Sequence, residues 1–368
     1  MIEYKVLYIC NYAAKYSGNF IASLSQLARM VGDKNVVYLF PTKAKGMDWI
    51  NILSDHCNSM YFCDFKYKSL RTMCKQIACD IGNGNVIVHT HFVEDTLLLG
   101  VKASFKKIIC HYHMTVPDTT LFRGKVKRII RQIFYHNMVI VGVSDAVTKD
   151  LSKYFYFSRC ESIPNAIDFA ALDKGISNGY NMPVIEHEKF NVLIHGTHFE
   201  RKGADLAVMA VSELNQENDV SYIHLYVTSH HVSDTLKKVK MLTSDLEYVH
   251  IIDVVENIIY LYDGMDLFIS PSRNEAFGYA VVEAAYAECQ VAASNIPGQN
   301  TMMVIPNVIW FEKENVGSLK QAIQQAHYDK MNGTAKLKKK EQREMAMKEF
   351  SIEAWSSKNM ELYSRMVK

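Results

Sequence analysis

The sequence predicts an α/β protein of two Rossmann-like, doubly wound domains facing a central cleft, and three observations carry that expectation. Short apolar runs rich in β-branched residues alternate with helical patterns along the chain. The runs are continuously apolar, as strands must be when a parallel sheet is covered by helices on both faces. The 368 residues exceed what one hydrophobic core usually organises, and a polar stretch rich in Gly, Pro, Asn and Asp lies near the middle.

In order, "YKVLYIC" is a strand. "SGNFIASLSQLARMVG" follows it with Phe20, Leu24, Leu27 and Ala28 on one helical face, and "NVVYLF" is the next strand. "NVIVHTHF", "KKIICHYH" and "MVIVGVS" continue the first series. A second series runs through "FNVLIHG", "YIHLYVTS", "YVHIIDV", "DLFISPS", "QVAASN" and "VIWF". The expected boundaries are an N-terminal domain over 1–169, a linker over 170–189, a C-terminal domain over 190–350 and a last helix over 351–368. In such sheets ligands bind outside the carboxyl ends of the strands.

With 49% hydrophobic and 22% charged residues the chain is globular in composition, and a net charge of +2 speaks against a dedicated nucleic-acid binder. The eight cysteines have neither zinc-ribbon nor redox-motif spacing and read as reduced thiols. "MIEYKVLYIC" reads as a strand and not a leader, and no apolar run is long enough to span a bilayer. The expectation is a cytoplasmic protein that meets a membrane, if at all, from its surface.

The segment "SPSRNEAFGYAVVEAAYAE" carries the chemistry. A strand ends in a Pro-Ser turn, and a helix starts near Gly278, so Ala276, Phe277 and Gly278 lie at a helix N-terminus, where free N–H groups and the macrodipole favour phosphate. Glu275 and Glu283, taken alone, are ordinary exposed charges; the strand, turn and glycine around them weigh against that reading. In "NVLIHGTHFERKGADLAVMAV" a strand, the turn at Gly196 and the pair Arg201-Lys202 precede another helix.

Together these segments resemble the nucleotide-sugar-binding part of the retaining GT-B glycosyltransferases, in particular glycosyltransferase family 4. Strand, Pro-Ser, Glu, small residue, Phe-Gly and a second Glu agree with that family in spacing. The resemblance implies that Glu283 holds the donor ribose, that Glu275 lies near the transferred sugar, and that the backbone of 276–278 contacts sugar and phosphate. It implies that Lys202 pairs with the donor diphosphate and that Gly196 is the turn glycine. Where the family has an arginine after that glycine, this chain has Thr197; Arg201 is the candidate to replace its charge.

Weaker fragments agree: "IPNAIDF", "VGVSDAVTKDL", and "YSGNFIASL", in which Gly18 stands for the family's glycine loop. "HYHMT" resembles the strand-end histidine that contacts the donor sugar, matched to His113 with His111 as the alternative. The family's last helix returns to the N-terminal domain, for which Trp355, Leu362 and Tyr363 are suited.

His89, His91, His111 and His113 form two His-x-His pairs of the kind that bind metal in hydrolases, but without a convincing carboxylate set. For His89 and His91 a structural role is the better reading. From Lys102 to Arg131 there are eight Lys or Arg and one acid, Asp118. Within it the stretch 123–136 reads as a helix docked by its apolar stripe, or as an interfacial helix on anionic lipid.

The expected activity is metal-independent, cofactor-free, retaining transfer of a sugar, as from a UDP-sugar, to a hydroxyl of a glycan or lipid-linked glycan acceptor. The donor would sit on the C-terminal domain and the acceptor on the N-terminal one. The rivals are a non-catalytic partner subunit, for which Thr197 would mark a decayed phosphate site, and a metal-dependent hydrolase using the histidine pairs.

Overall fold

The computed structural model describes residues 4–82, 84–114, 135–174, 185–217, 222–244, 246–254 and 259–367. Two compact units emerge. One comprises the chain up to Ile167 together with the residues from Ile352 onward; the other is Asp168–Ser351.

Among the described residues the N-terminal unit is built on seven parallel strands: β1 Lys5–Cys10, β2 Val36–Pro41, β3 Ser59–Cys63, β4 Val86–His91, β5 Lys107–Tyr112, β6 Val139–Gly142 and β7 Arg159–Ser162, in the order β3-β2-β1-β4-β5-β6-β7. Helices α1 Gly18–Val31, α2 Trp49–Ser54, α3 Tyr67–Ile81, α4 Asp95–Lys102 and α5 Asp145–Tyr154 lie along the connections. Strands β1, β2 and β4 are almost wholly buried, which explains their uninterrupted apolar character. The edge strands β3 and β7, by contrast, are mostly half-exposed, so "SMYFC" and "RCES" lack the apolar run that marks the others. Sequence patterning passes over both.

The described residues of the C-terminal unit form six parallel strands: β8 Phe190–His195, β9 Ile223–Ser229, β10 Val249–Asp253, β11 Leu267–Ser270, β12 Gln290–Ser294 and β13 Ile309–Phe311, ordered β10-β9-β8-β11-β12-β13. Its helices are α6 Phe169–Lys174, α7 Ala204–Glu217, α8 Val232–Lys240, α9 Ile259–Asp263, α10 Tyr279–Tyr286, α11 Val316–Met331 and α12 Ala335–Phe350. Because β8 leads outward to β9 and β11 leads outward the other way to β12, the adjacent pair β8 and β11 is the switch point of the sheet, with Phe268 opposite Leu193.

Residues 170–174 of the stretch expected to be a linker are helical, and this part of the chain is fastened to its unit: Phe169 stacks on Tyr286 at 4.2 Å, and the Tyr286 hydroxyl donates to Asp173 at 2.7 Å. The rest of that stretch, 175–184, and the greater part of the basic stretch 123–136 lie outside the described residues.

The last helix, α13 Ile352–Val367, belongs to the N-terminal unit. Its Trp355, Leu362 and Tyr363 are buried in one core with Tyr8, Ile21, Leu24 and Ile87. No helix among the described residues is long and apolar enough to cross a membrane. All eight cysteines are free thiols, five of them buried.

Candidate functional site

In the C-terminal unit the two segments singled out by sequence meet at the switch point. The chain leaves β8 through Gly196 and reaches α7 at Ala204; it leaves β11 through Pro271 and reaches α10 at Tyr279. These loops touch so closely that side chains are excluded. Gly203 has a φ of +73°, and a Cβ there would overlap the Pro271 carbonyl. A Cβ on Gly298, in the loop after β12, would overlap the Glu275 carbonyl.

At the crossing the Lys202 ammonium donates to Glu275 Oε1 at 2.6 Å. The Ser272 hydroxyl donates to the same oxygen at 3.1 Å, and Arg201 Nη1 lies 3.5 Å from it. The arginine also donates to the Asn274 carbonyl at 3.3 Å. The turn that brings Lys202 onto Glu275 brings Arg201, the candidate to replace the missing charge, to the same carboxylate. Thr197 is partly exposed in the same loop and adds no charge, so Arg201 and Lys202 supply the positive charge in this loop. A void of about 10 Å³, one water's worth, lies beside Lys202 and is bordered by His195, Ser270 and Ser272.

Arg273, which sequence reasoning left without a role, ties the loops together. Its guanidinium forks onto Asp205 at 2.8 and 2.7 Å and donates through Nε to Glu314 at 2.9 Å and through Nη1 to the Glu200 carbonyl. Its backbone N–H donates to the Arg201 carbonyl at 2.9 Å. The bond to Asp205 holds the guanidinium charged even more firmly than usual. Its signal in the sequence was a lone Arg in "SPSRNE" with an Asp three residues beyond Lys202, a pairing that spacing cannot disclose.

Gly278, with φ +110°, caps α10. Phe277 is buried against Tyr279 and Phe350, at 4.9 and 5.7 Å between ring centroids, so its side chain anchors the loop while the half-buried Ala276 stays at its surface. Glu283 lies farther along α10. Burial pushes its carboxyl up to about 7, opposed by the Lys202 charge.

His195 is a second residue the sequence reading passed over. Its Nε2 is 2.8 Å from the Tyr262 hydroxyl and its Nδ1 is 3.2 Å from Thr228 Oγ1. Burial, helped by the Lys202 charge, holds it down to about 3, so the ring is neutral near pH 7. The signal was present, a polar residue ending an apolar strand directly before Gly196.

In the N-terminal unit, Gly18 is the first residue of α1, with φ +55°. His113 follows β5, stacks on Phe92 at 4.0 Å and lies 3.1 Å from His91 Nδ1 through its Nε2. It is partly exposed, whereas His111 is buried at 4% exposure. Burial brings His113 down to about 3. His89 and His91 are fully buried, His89 with Nδ1 at 2.6 Å from the Tyr363 hydroxyl. Among the described residues the three buried imidazoles form one cluster that includes no carboxylate.

Two Rossmann-like parallel sheets, the second with a lysine and a glutamate converging at its switch point, define the GT-B class of fold. Residues 189–329, within the C-terminal unit, match the family described as Glycosyl transferases group 1. The chain is 31% identical over 235 residues to the O-antigen biosynthesis glycosyltransferase WclY of Escherichia coli, a match covering 57% of this chain and 61% of that relative's length. Among solved structures it is similar to a glycosyltransferase from Rickettsia africae, with a TM-score of 0.74 at 19% identity over 100% of this chain and 99% of that one. It is also similar to Anabaena HepE in complex with UDP, with a TM-score of 0.73 at 13% identity over 98% and 100% of the two chains.

Proposed function

We propose that the protein is a retaining glycosyltransferase that moves a sugar from a UDP-sugar to a hydroxyl of a glycan or lipid-linked glycan. The observation that carries this reading is the Lys202–Glu275 contact at 2.6 Å, with Arg201 beside it, at the switch point next to the capped start of α10. A breaking sugar–phosphate bond develops negative charge on the diphosphate, and the two cations with the N–H groups at the start of α10 are positioned to stabilise it. Solved structures of HepE hold UDP or UDP-glucose, which supports the uridine nucleotide. The role of WclY in O-antigen biosynthesis supports a glycan acceptor.

In the proposed reaction the acceptor oxygen attacks the anomeric carbon from the face the diphosphate leaves. The new C–O bond forms as the sugar–phosphate bond breaks, and the acceptor proton passes to a phosphate oxygen. Glu283 holds the ribose hydroxyls, Glu275 and His113 contact the transferred sugar, and Lys202 and Arg201 hold the diphosphate. The leaving group's charge is met by these side chains, so transfer itself requires no metal. The nearby Arg201 weighs against reading Thr197 as the mark of a decayed site. The stretch 123–136 would contact anionic membrane where the acceptor is lipid-linked.

A thermal-shift panel of nucleotide sugars, followed by transfer assays with the anomer of the product read by NMR, tests the proposal. A UDP-sugar should raise the melting temperature in a concentration-dependent way and yield a product of retained configuration. Inversion would refute the mechanism, and no shift with any nucleotide sugar would refute the activity.

A further inference from the structure

We infer that the N-terminal unit binds a transition-metal ion of the zinc class on His89, His91 and His111. Candidate ligand nitrogens of the three residues lie within 4.8 Å of one another. The register of the sheet makes this meeting unavoidable: His91 on β4 stands opposite His111 on β5, and His89, two residues before His91, shares its face. Among the described residues, His91 Nε2 and His111 Nε2 are two of the buried side-chain atoms without a hydrogen-bond partner, and the two residues are 0% and 4% exposed. Buried polar atoms in folded proteins are nearly always satisfied by protein, water or an ion. Two orphan imidazole nitrogens in one cluster point to a shared electrophile.

The surroundings are those of a metal site. His89 Nδ1 lies 2.6 Å from the Tyr363 hydroxyl, which itself donates to the Tyr8 hydroxyl at 3.3 Å, and His91 Nδ1 lies 3.1 Å from His113 Nε2. Such outer contacts on the far ring nitrogen fix the tautomer and aim of a ligating histidine. His89 would exchange its 3.3 Å contact with His111 Nδ1 for a bond to the ion. A set of imidazoles with no carboxylate selects zinc, cobalt, nickel or copper over magnesium or calcium. Trp355 covers the cluster, with ring centroids 6.4 and 6.1 Å from His91 and His111. The site is therefore closed, as structural metal sites are, and would brace β4, β5 and α13 without taking part in sugar transfer.

The test uses the full chain, stripped with chelator and then dialysed against zinc or cobalt. The wild type should retain one ion per chain after desalting, show the intense visible bands of cobalt in a low-coordinate nitrogen site, and gain melting temperature with added zinc. A His91→Gln/His111→Gln variant should lose the retained ion and the zinc-dependent shift. Should that variant fail to fold, the cobalt spectrum of the wild type decides by itself. Folded, stripped wild type that takes up no ion, as expected if an ordered water fills the cluster, would overturn the inference. So would a folded variant that retains the ion undiminished.

Discussion

Lys202 is held in place by contacts from both loops, and its removal separates charge from packing. Lys202→Ala should lower turnover by about 10²–10³-fold, the typical cost of one lost donor to developing charge, with a small change in melting temperature. Near wild-type turnover in folded protein would end its assignment to the diphosphate. Glu283 gives a pH signature instead. Its folded pKa of about 7 is raised above its unfolded value, so its contribution to stability is complete below the unfolded pKa and is lost as pH rises through 7. Glu283→Gln should flatten the fall in melting temperature between about pH 5 and pH 8. The same variant should raise KM for the donor more than it lowers kcat, whereas Glu275→Gln should chiefly lower kcat. At this scale the motif residues were legible because a Pro-Ser turn, a glycine and two glutamates keep fixed spacing. His195 and Arg273 were not, because each acts through a partner far away in sequence, Tyr262 in one case and Asp205 in the other.

The two loops form one device whose parts are a sheet switch point, two glycines with no room for a side chain, and the Arg273 fork. Asp205→Asn should free one loop from the other at a cost of about 1–2 kcal/mol, seen in chemical denaturation, with a larger relative effect on transfer than on folding. Gly298→Ala pushes directly on the Glu275 backbone. It should reduce transfer while donor-induced stabilisation persists; equal loss of both would mean the loop holds donor and not the sugar end alone. The central strands were legible from continuous apolar runs, since both of their faces are buried. The edge strands β3 and β7 were not, since a strand that is half-exposed carries no such signal. The tight crossing of loops was also illegible, as a glycine written in sequence does not name the backbone it will lie against.

At the scale of the molecule, α13 completes the core of the N-terminal unit. Trp355→Ala should destabilise that unit by about 3–5 kcal/mol, the cost of emptying a large buried site. Calorimetry should show the transition of this unit, whose core holds Trp355, moving down while that of the C-terminal unit stays in place. A single cooperative transition that shifts as a whole would show that the units unfold together. The two-domain plan itself was legible, because two series of apolar strands flank a polar stretch. The start of the second unit at Asp168 was less so, because α6 is short and is fastened by Phe169 and Asp173 to a residue more than a hundred positions later.

The return of α13 also imposes an order of events during synthesis. The first unit to begin emerging is the last to be completed, since its core lacks Trp355, Leu362 and Tyr363 until the whole of Asp168–Ser351 has been made. At about 5–20 residues per second that interval is roughly 10–40 s. Through it the three clustered histidines, His89, His91 and His111, would stand without their cover, open to small solutes and to chaperones, and the second unit would finish folding first.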